Sequence, residues 1–496
     1  MTDRDLIFDK LLESSLSEMP PDDIVLSVTP WKRAMRMVLI GFALCGITLQ
    51  FWFLQYVLPI IGILLGLLGF RMLRRENGWF FGCYLLSVVR MIYHYGILIF
   101  ESTIYSSLLL TDTAELFLTV LGILLQVIVY FFFSAGLYEI RERAGLSHGT
   151  SGAWLIVWYI AVCFLGLIEY QGFVIPILLI VCYVLILRSL FRVMRDLDDA
   201  GYAIRPVKIR ISDGVLSVGI LLLLVGGILY GIFFCQSYPM AWQVRESAEA
   251  PEIEQVKEDL EDLGFPSYVL ADLGDEDILS CKGALEVIVY AHDYVLNDGR
   301  RVSQWVGDTI HVNTVHDTKE LQITSVGVRL NESGEEWKIF HHFVFEAKPA
   351  FFGTEFISLW SQTENAFLSK DDYSGHVLYD KDGETYVSSY YSLQKETYMT
   401  NNFFLGNRVI TRPVAEFSFP MDGDLQRGYI SFTAEVVQIH SLMDFSIDYI
   451  HQKTPWNYPF MTAKENSAGN YLPSSNAYRS FYKIWTALQF RIETDS

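Results

Sequence analysis

Residues 37–70, MVLIGFALCGITLQFWFLQYVLPIIGILLGLLGF, decide the fold class of this chain. The stretch contains no charged residue. A helix that crosses a bilayer takes about 20 residues, so the stretch is too long for one span and just long enough for two short ones. Its middle, Gln50 to Tyr56, is rich in aromatic and amide side chains, as is typical of a membrane interface. The stretch therefore predicts a helical hairpin in a membrane.

Further apolar runs follow this hairpin at about 78–100, 114–138, 153–170, 173–191 and 213–235. Together with the hairpin they predict seven spans, of which the first two and the fifth are close to the minimum length. The predicted fold class is a membrane all-α bundle of about seven transmembrane helices, followed by an extracytoplasmic β-rich, sandwich-like domain.

Lysine and arginine are distributed unevenly among the connections between these runs. The connections near 50–56, 101–113 and 170–173 carry none. Cytoplasmic loops retain these residues, so we expect a plasma-membrane protein with a cytoplasmic N-terminus and with residues 237–496 outside. The alternate connections carry 14 basic residues, namely Lys32, Arg33, Arg36, Arg71, Arg74, Arg75, Arg141, Arg143, Arg188, Arg192, Arg195, Arg205, Lys208 and Arg210.

The composition also indicates that the chain contains two parts of different character. Of the 496 residues, 51% are hydrophobic and 19% are charged, which is unusual for a soluble globular protein. The net charge is -20, but residues 1–236 hold 17 basic and 18 acidic residues, whereas the remainder holds 20 and 39. The acidity therefore belongs to the C-terminal half. It excludes nucleic acid as an expected partner, because phosphate binding needs a basic face.

Three segments flank or follow the bundle at 34–236. Residues 1–33 predict a cytoplasmic amphipathic leader. It lies against the membrane-side loops or docks a cytoplasmic protein. Residues 237–282 are acidic and predict a helical stalk or a pair of helices. Residues 283–496 predict the β-rich domain.

The β-rich domain is predicted from short runs of β-branched and aromatic residues over 285–451. Ten or so such strands with turn signals between them are typical of an antiparallel sandwich or barrel. The sequence 474–490, SSNAYRSFYKIWTALQF, predicts a C-terminal helix that packs on one face. The predicted hairpin turns are at 297–299, 382–383 and 422–423.

Arg90 lies near the middle of the third span, and His94 lies one turn later on the same face. A charge at that depth is costly unless it is paired or hydrated. The available partners are Glu115 and Glu139 at the ends of the fourth span and Glu169 at the end of the fifth. Two interpretations remain, a structural ion-pair clasp and a functional cavity. The candidate intramembrane polar site consists of Arg90, His94, Glu115 and Glu169.

No catalytic, cofactor or metal site is expected. Residues 149–153, GTSGA, are similar to the motif that rhomboid intramembrane proteases place at the start of a helix. That chemistry needs a histidine from a later span, and the spans after Ser151 contain none, so we interpret the match as chance. The histidines at 311, 316 and 341–342 lack zinc-site spacing, and Asp380 to Glu384 fits a hairpin turn.

Four segments carry a resemblance that covers nearly the whole chain. They are similar to a family of multi-span bacterial membrane proteins that has no assigned activity, so the resemblance implies a membrane location and no particular chemistry. The layout also loosely resembles membrane-bound anti-sigma factors and sensor proteins. It departs from them in having seven spans and, without Cys or His in residues 1–33, no zinc motif in the leader. The four segments are 8–37, 284–300, 336–346 and 451–466.

We therefore expect the lipid bilayer as one partner, a cytoplasmic protein at residues 1–33, and an envelope ligand at the outer domain. The leading hypothesis is a signalling protein in which the outer domain senses and the leader responds. The alternatives are a transporter or transport accessory that uses Arg90 and His94, and an envelope scaffold that binds wall polymer.

Overall fold

The computed structural model describes most of the chain as two compact units. The helical unit falls within Met1–Phe100 and Leu110–Ile228, and the β-rich unit within Glu101–Leu109 and Leu229–Ser496. The predicted leader helix and the predicted turn at 297–299 lie outside the described residues. The described residues are 30–46, 53–147, 149–168, 170, 172–202, 204–205, 210–246, 250–294, 300–306, 309–315, 320–361, 366–402, 406–436, 442–467 and 480–491.

Up to residue 234, the described secondary-structure elements of the chain are all helices. Five of its helices, α2, α3, α5, α7 and α8, are long and apolar enough to cross a membrane, as in a multi-pass membrane protein. The helices α1 and α6 have 17 residues each. The bounds are α1 (Pro30–Gly46), α2 (Leu54–Leu73), α3 (Gly78–Phe100), α4 (Tyr105–Leu109), α5 (Asp112–Arg143), α6 (Ser151–Leu167), α7 (Val174–Asp199) and α8 (Asp213–Phe234).

The helices α1 and α2, which the stretch 37–70 predicts, pack backbone against backbone. A Cβ atom added to Gly62 would lie 2.6 Å from Cys45 Sγ and 2.8 Å from Gly41 O. One added to Gly69 would lie 2.8 Å from Ala34 O. Small residues allow this close approach between helices in a membrane. Gly62 and Gly69 therefore lie where the two helices are in close contact.

Aromatic side chains hold α1 against three other helices. Phe42 meets Tyr130 and Phe133 of α5 edge to face, with ring centroids 5.0 and 5.1 Å apart. Tyr183 of α7 stacks on Trp158 of α6 at 4.0 Å and donates a hydrogen bond to Phe42 O at 2.6 Å. Buried aromatic pairs of this kind add specific geometry to the packing. They fix α1, α5, α6 and α7 as one bundle.

The β-rich unit contains two antiparallel sheets that share one core. The first has the order β1-β9-β8-β12-β6-β5-β2, the second has the order β10-β11-β7-β13-β14, and β3 and β4 pair separately. Apolar side chains from both large sheets form a single buried cluster. The bounds are β1 (Gln243–Val244), β2 (Glu286–Tyr294), β3 (Arg300–Val306), β4 (Thr309–Val315), β5 (Leu321–Arg329), β6 (Glu336–Phe345), β7 (Glu355–Ser361), β8 (Ala366–Lys381), β9 (Glu384–Ser389), β10 (Ser392–Asn402), β11 (Gly406–Phe417), β12 (Asp424–Val436), β13 (Leu442–Gln452) and β14 (Phe481–Arg491).

The acidic segment after the last span packs on the first sheet. It forms the helices α9 (Pro251–Asp262), α10 (Ser267–Leu270) and α11 (Asp275–Leu279). Their apolar side chains are buried against β5, β6 and β12. The prediction for this segment was a helical stalk or a pair of helices, and the structure contains three packed helices. A short helix, α12 (Ala463–Ser467), follows β13.

Strand β6 explains why the first sheet can carry buried polar groups. Side chains alternate between the two faces of a strand. Ile339 and Phe343 enter the core between the sheets, whereas Phe340 faces the acidic helices. Both faces of β6 are therefore covered, and His341 and His342 are 0% and 1% exposed.

Two predictions for this unit are wrong. The C-terminal segment forms strand β14 instead of a helix, because Ile484, Leu488 and Phe490 bury one face while the strand pairs with β13. The turn at 422–423 is not a hairpin, because the strands on either side of it, β11 and β12, belong to different sheets. The turn at 382–383 is a hairpin turn between β8 and β9, as predicted. Asp382 and Gly383 both have positive φ, at 52° and 84°.

Candidate intramembrane polar site

Four helices of the bundle line a partly open cavity of about 150 Å³. The polar residues of α3 face it, as their spacing of one helical turn requires. The helix α5 contributes a glutamine, Gln126, that was not predicted from the sequence. The lining residues are Cys45 of α1; Arg90, Tyr93 and His94 of α3; Gly122 and Gln126 of α5; and Tyr159 of α6.

Gln126 is the most unusual group in this cavity. It is 4% exposed, and neither its Nε2 nor its Oε1 atom has a hydrogen-bond partner among the described residues. His94 Nε2 is likewise buried without a partner in that part of the chain. Buried polar groups are paired in most proteins, so each unpaired one calls for an explanation. Two such groups line the same cavity.

Arg90 brings a positive charge to the same wall. Its guanidinium lies within hydrogen-bond reach of Cys45, and no carboxylate of the described residues lies within 4.0 Å of it. The space beside Arg90 depends on Gly122, because a Cβ atom added to this glycine would lie 3.2 Å from Tyr93 Oη. The Tyr93 hydroxyl donates a hydrogen bond to Leu118 O at 2.5 Å.

The predicted acidic partners of Arg90 lie elsewhere. Glu115 is exposed in the first turn of α5. Glu139 pairs with Arg143, one turn away on the same helix. Glu169 lies outside the described residues. Among the described residues, the structure therefore brings together Arg90 and His94 but forms no ion-pair clasp with Glu115 or Glu139.

Polar groups at the ends of the helices form a second cluster in the helical unit. We call it the Glu76 cluster. Glu76 is 3% exposed and accepts hydrogen bonds from the Tyr202 hydroxyl at 2.8 Å and from the Arg205 amide. Arg143 donates to Glu76 O at 2.9 Å. Arg71, in the last turn of α2, joins this end to the start of α8, because its Nη1 atom lies 3.0 Å from an Asp213 carboxylate oxygen. Connections that are distant in sequence thus meet in one polar network.

The β-rich unit contains buried charges that are fully partnered. Asp277 accepts hydrogen bonds from Ser374 and Tyr429 at 2.6 Å and from Ser431 at 2.8 Å, and Lys338 Nζ lies 3.3 Å away. Burial alone would raise the pKa of Asp277, but these hydrogen bonds and the Lys338 charge hold it below its ordinary value. Position in the sequence gave no signal for this cluster.

Asp272 is a second such group. His342 Nε2 and Arg427 Nε each lie 2.8 Å from one of its carboxylate oxygens. Burial would raise the pKa of Asp272, but His342 and Arg427 outweigh it and lower the pKa. An open pocket of about 610 Å³ adjoins this cluster. Its two arginines, Arg245 and Arg427, are already hydrogen-bonded within the unit, so the pocket offers no unpaired cation.

The motifs with a catalytic or metal interpretation have ordinary environments. Ser151 Oγ lies 2.8 Å from Ser189 Oγ at the start of α6. His341 bonds Ser325 and His342 bonds Asp272, so the two neighbours face apart. In the described part of the chain, no group of three His, Cys, Asp or Glu side chains could hold a metal ion.

Comparison with known proteins gives no family. No family model and no curated protein matches this chain. Three solved structures show weak likeness. The collagen-binding subdomain of the Enterococcus faecalis surface protein ACE is 12% identical, covers 31% of this chain and 86% of its own, and has a TM-score of 0.19.

The other two are weaker by TM-score. AvmM, which catalyses macrocyclization in alchivemycin A biosynthesis, is 9% identical and covers 33% of this chain and 83% of its own, with a TM-score of 0.18. A structure from work on Streptococcus parasanguinis adhesion by Fap1 fimbriae is 12% identical and covers 35% of this chain and 78% of its own, with a TM-score of 0.15. At such scores none of the three carries an argument about this chain.

Proposed function

We propose that this chain is a seven-span plasma-membrane signalling protein. Its β-rich unit lies outside the cell and responds to a ligand or stress in the envelope. The helical unit then changes how residues 1–33 hold a cytoplasmic protein. The proposal rests on the hydrogen bonds that residues 101–109 make with other residues of the β-rich unit.

The connection 101–109 joins α3 to α5 and packs within the β-rich unit. Ile104 N donates to Cys235 O, and Phe460 N donates to Glu101 O, both at 2.7 Å. Ser107 Oγ donates to Glu465 at 3.0 Å. The helices on either side carry Arg90 and Gln126. A change in the β-rich unit at this connection therefore acts on the two helices that line the polar cavity.

The same contacts support the predicted number of spans. Residues 101–109 and 235 must lie on one side of the membrane, because they are hydrogen-bonded to each other. An even number of crossings must separate them. The long helices α5, α7 and α8 supply three, so the 17-residue α6 is needed as the fourth.

The Glu76 cluster supports the rest of the topology. Trp31 Nε1 donates to Met194 O at 3.2 Å, and Lys32 Nζ lies 3.7 Å from Asp198, so the start of α1 and the end of α7 share a side. Tyr202 and Arg143 both reach Glu76. The residues of this side include the basic connections that indicate the cytoplasm. An arrangement in which α1–α2, α3–α5 and α6–α7 each cross the membrane and return, with α8 as the final span, is consistent with every one of these contacts.

Cysteine labelling in intact cells tests the topology. In a chain without native cysteines, Glu258→Cys on α9 and Asp199→Cys at the end of α7 are both exposed positions. We expect a membrane-impermeant maleimide to label the first in intact cells and the second only after permeabilisation. Labelling of both, or of neither, in intact cells contradicts the proposed arrangement.

Co-purification tests the signalling role. Deletion of residues 1–28 keeps Trp31 and Lys32, which are packed in the helical unit. We expect the full chain to retain a cytoplasmic protein that the shortened chain loses. Glu465→Ala, which weakens the hold on the connection 101–109, should change the amount retained. Identical partners for all three chains would exclude signalling through the leader.

A transporter or transport accessory is the second candidate. The cavity at Arg90 and His94 favours it, because polar groups at that depth mark substrate paths in transporters. Flux into proteoliposomes that is abolished by Arg90→Gln would place this candidate first. Absence of flux for a panel of small anions and cations would leave signalling ahead.

A further inference from the structure

We propose that the cavity between α1, α3, α5 and α6 is a binding site for a small carboxylate, held by Arg90, Gln126 and His94. The inference does not depend on whether the chain signals or transports. It rests on the unpaired polar groups of the cavity, on its charge and on its size.

The donors of the cavity match a carboxylate. An arginine guanidinium presents parallel N–H groups that fit the two oxygens of a carboxylate. Gln126 adds an amide donor that is unpaired and 4% exposed. His94 Nε2, also unpaired, can donate or accept according to its tautomer. A bound carboxylate would satisfy all three groups and would neutralise the Arg90 charge inside the bundle.

The size and walls of the cavity favour a small ligand. A cavity of about 150 Å³ holds a molecule of roughly the size of benzene. Tyr93 and Tyr159 line it and give it aromatic walls. The ligand is therefore a compact monocarboxylate with an apolar or aromatic body.

Equilibrium dialysis of radiolabelled benzoate against the purified full chain in detergent tests the site. The neutral isostere benzamide is the matched ligand control, and acetate, phosphate and chloride serve as competitors at equal ionic strength. We expect one benzoate per chain, displaced by acetate and much less by phosphate or chloride. Benzamide binding as tightly as benzoate, or phosphate competing as well as acetate, overturns the assignment.

Variants assign the binding to the cavity. Arg90→Gln and Gln126→Glu should each weaken benzoate binding roughly 10- to 100-fold, the loss expected for charged hydrogen bonds. Arg188→Gln, at an exposed arginine of α7, is the matched control and should bind as the wild type does. Because the new carboxylate of Gln126→Glu can pair with Arg90, that variant should keep its melting temperature. Wild-type affinity in Arg90→Gln would refute the site.

Discussion

Asp277 in the β-rich unit and Gln126 in the helical unit are similarly buried, at 6% and 4% exposure, but they differ in their partners. Asp277 receives three hydroxyl hydrogen bonds and a lysine contact. Gln126 has no hydrogen-bond partner among the described residues. Burying a polar group without a hydrogen-bond partner costs more free energy than burying one that is hydrogen-bonded.

The difference separates a structural cluster from a candidate site. Groups that satisfy one another within the fold, such as Asp277 and Lys338, stabilise it and have little left to offer a ligand. Groups that the fold leaves unsatisfied beside a cavity are available to a ligand. On this criterion the proposed binding site lies in the helical unit, although the larger pocket lies in the β-rich unit.

Asp277→Ala should produce the largest loss of stability. The substitution leaves Lys338, which is 2% exposed, as a buried charge without its closest carboxylate. Breaking a buried pair in this way costs about 3–5 kcal/mol. Urea unfolding of the β-rich unit in the purified full chain measures the loss.

A matched control and a rescue sharpen this test. Asp262→Ala, at an exposed position of α9, should change the free energy of unfolding by less than about 0.5 kcal/mol. Adding Lys338→Met to Asp277→Ala removes the stranded charge and should recover part of the loss. A double variant as unstable as the single one would show that the charge is not the cause.

Acidification should destabilise the β-rich unit by an intermediate amount. Burial lowers the pKa of His341 from about 6.5 to about 3. The folded chain therefore keeps His341 neutral, whereas the unfolded chain binds a proton below about pH 6.5. The stabilisation is present above that pH and is lost as the pH falls towards the folded pKa. At pH 5 this one group accounts for about 2 kcal/mol.

The unfolding free energies of the wild type and of His341→Asn at pH 7 and pH 5 measure this contribution. Asparagine can keep the hydrogen bond to Ser325 but does not titrate. The drop between the two pH values should be smaller in the variant by about 2 kcal/mol. Equal drops would assign the acid sensitivity to other groups.

The sequence predicted the helices and strands of both units better than it predicted which of them contact one another. Apolar runs predicted the long helices, and short runs of β-branched and aromatic residues predicted most of the strands within 285–451, because burial imposes a period along the chain. It failed at β14, where Tyr482, Lys483 and Ala487 obscure the alternation and pairing with β13 decides the structure. Contacts between residues that are distant in sequence produce no periodic pattern from which they could be predicted.

The candidate site shows the same limit. Arg90 and His94 were predictable, because a charge and a histidine one turn apart stand out in an apolar run. Gln126 was not, because a single amide in a span is common and its unpaired state depends on three-dimensional neighbours. Glu139 was an incorrect partner for Arg90, since Arg143 lies one turn away on its own helix.

Gly62→Ala should destabilise the helical unit by a smaller amount. The new methyl group would meet Gly41 O at 2.8 Å, and overpacking costs about 1–3 kcal/mol, of which helix propensity returns about 0.5–1. Gly66→Ala is the matched control on the same helix, because its Cβ would have nothing within 4 Å. Thermal unfolding in detergent should separate the two variants. A lower melting temperature for Gly66→Ala than for Gly62→Ala would contradict backbone packing at Gly62.

Gln126→Leu should give the smallest effect and one of the opposite sign. Leucine fills a similar volume and removes two buried polar atoms that have no partner among the described residues, so the helical unit should gain up to about 1 kcal/mol. The melting temperature of the ligand-free chain should rise slightly, whereas the same variant should bind benzoate more weakly. Stability and binding that change in opposite directions are typical of a residue kept for a ligand. A marked loss of stability would instead place Gln126 with Asp277, as part of a structural network.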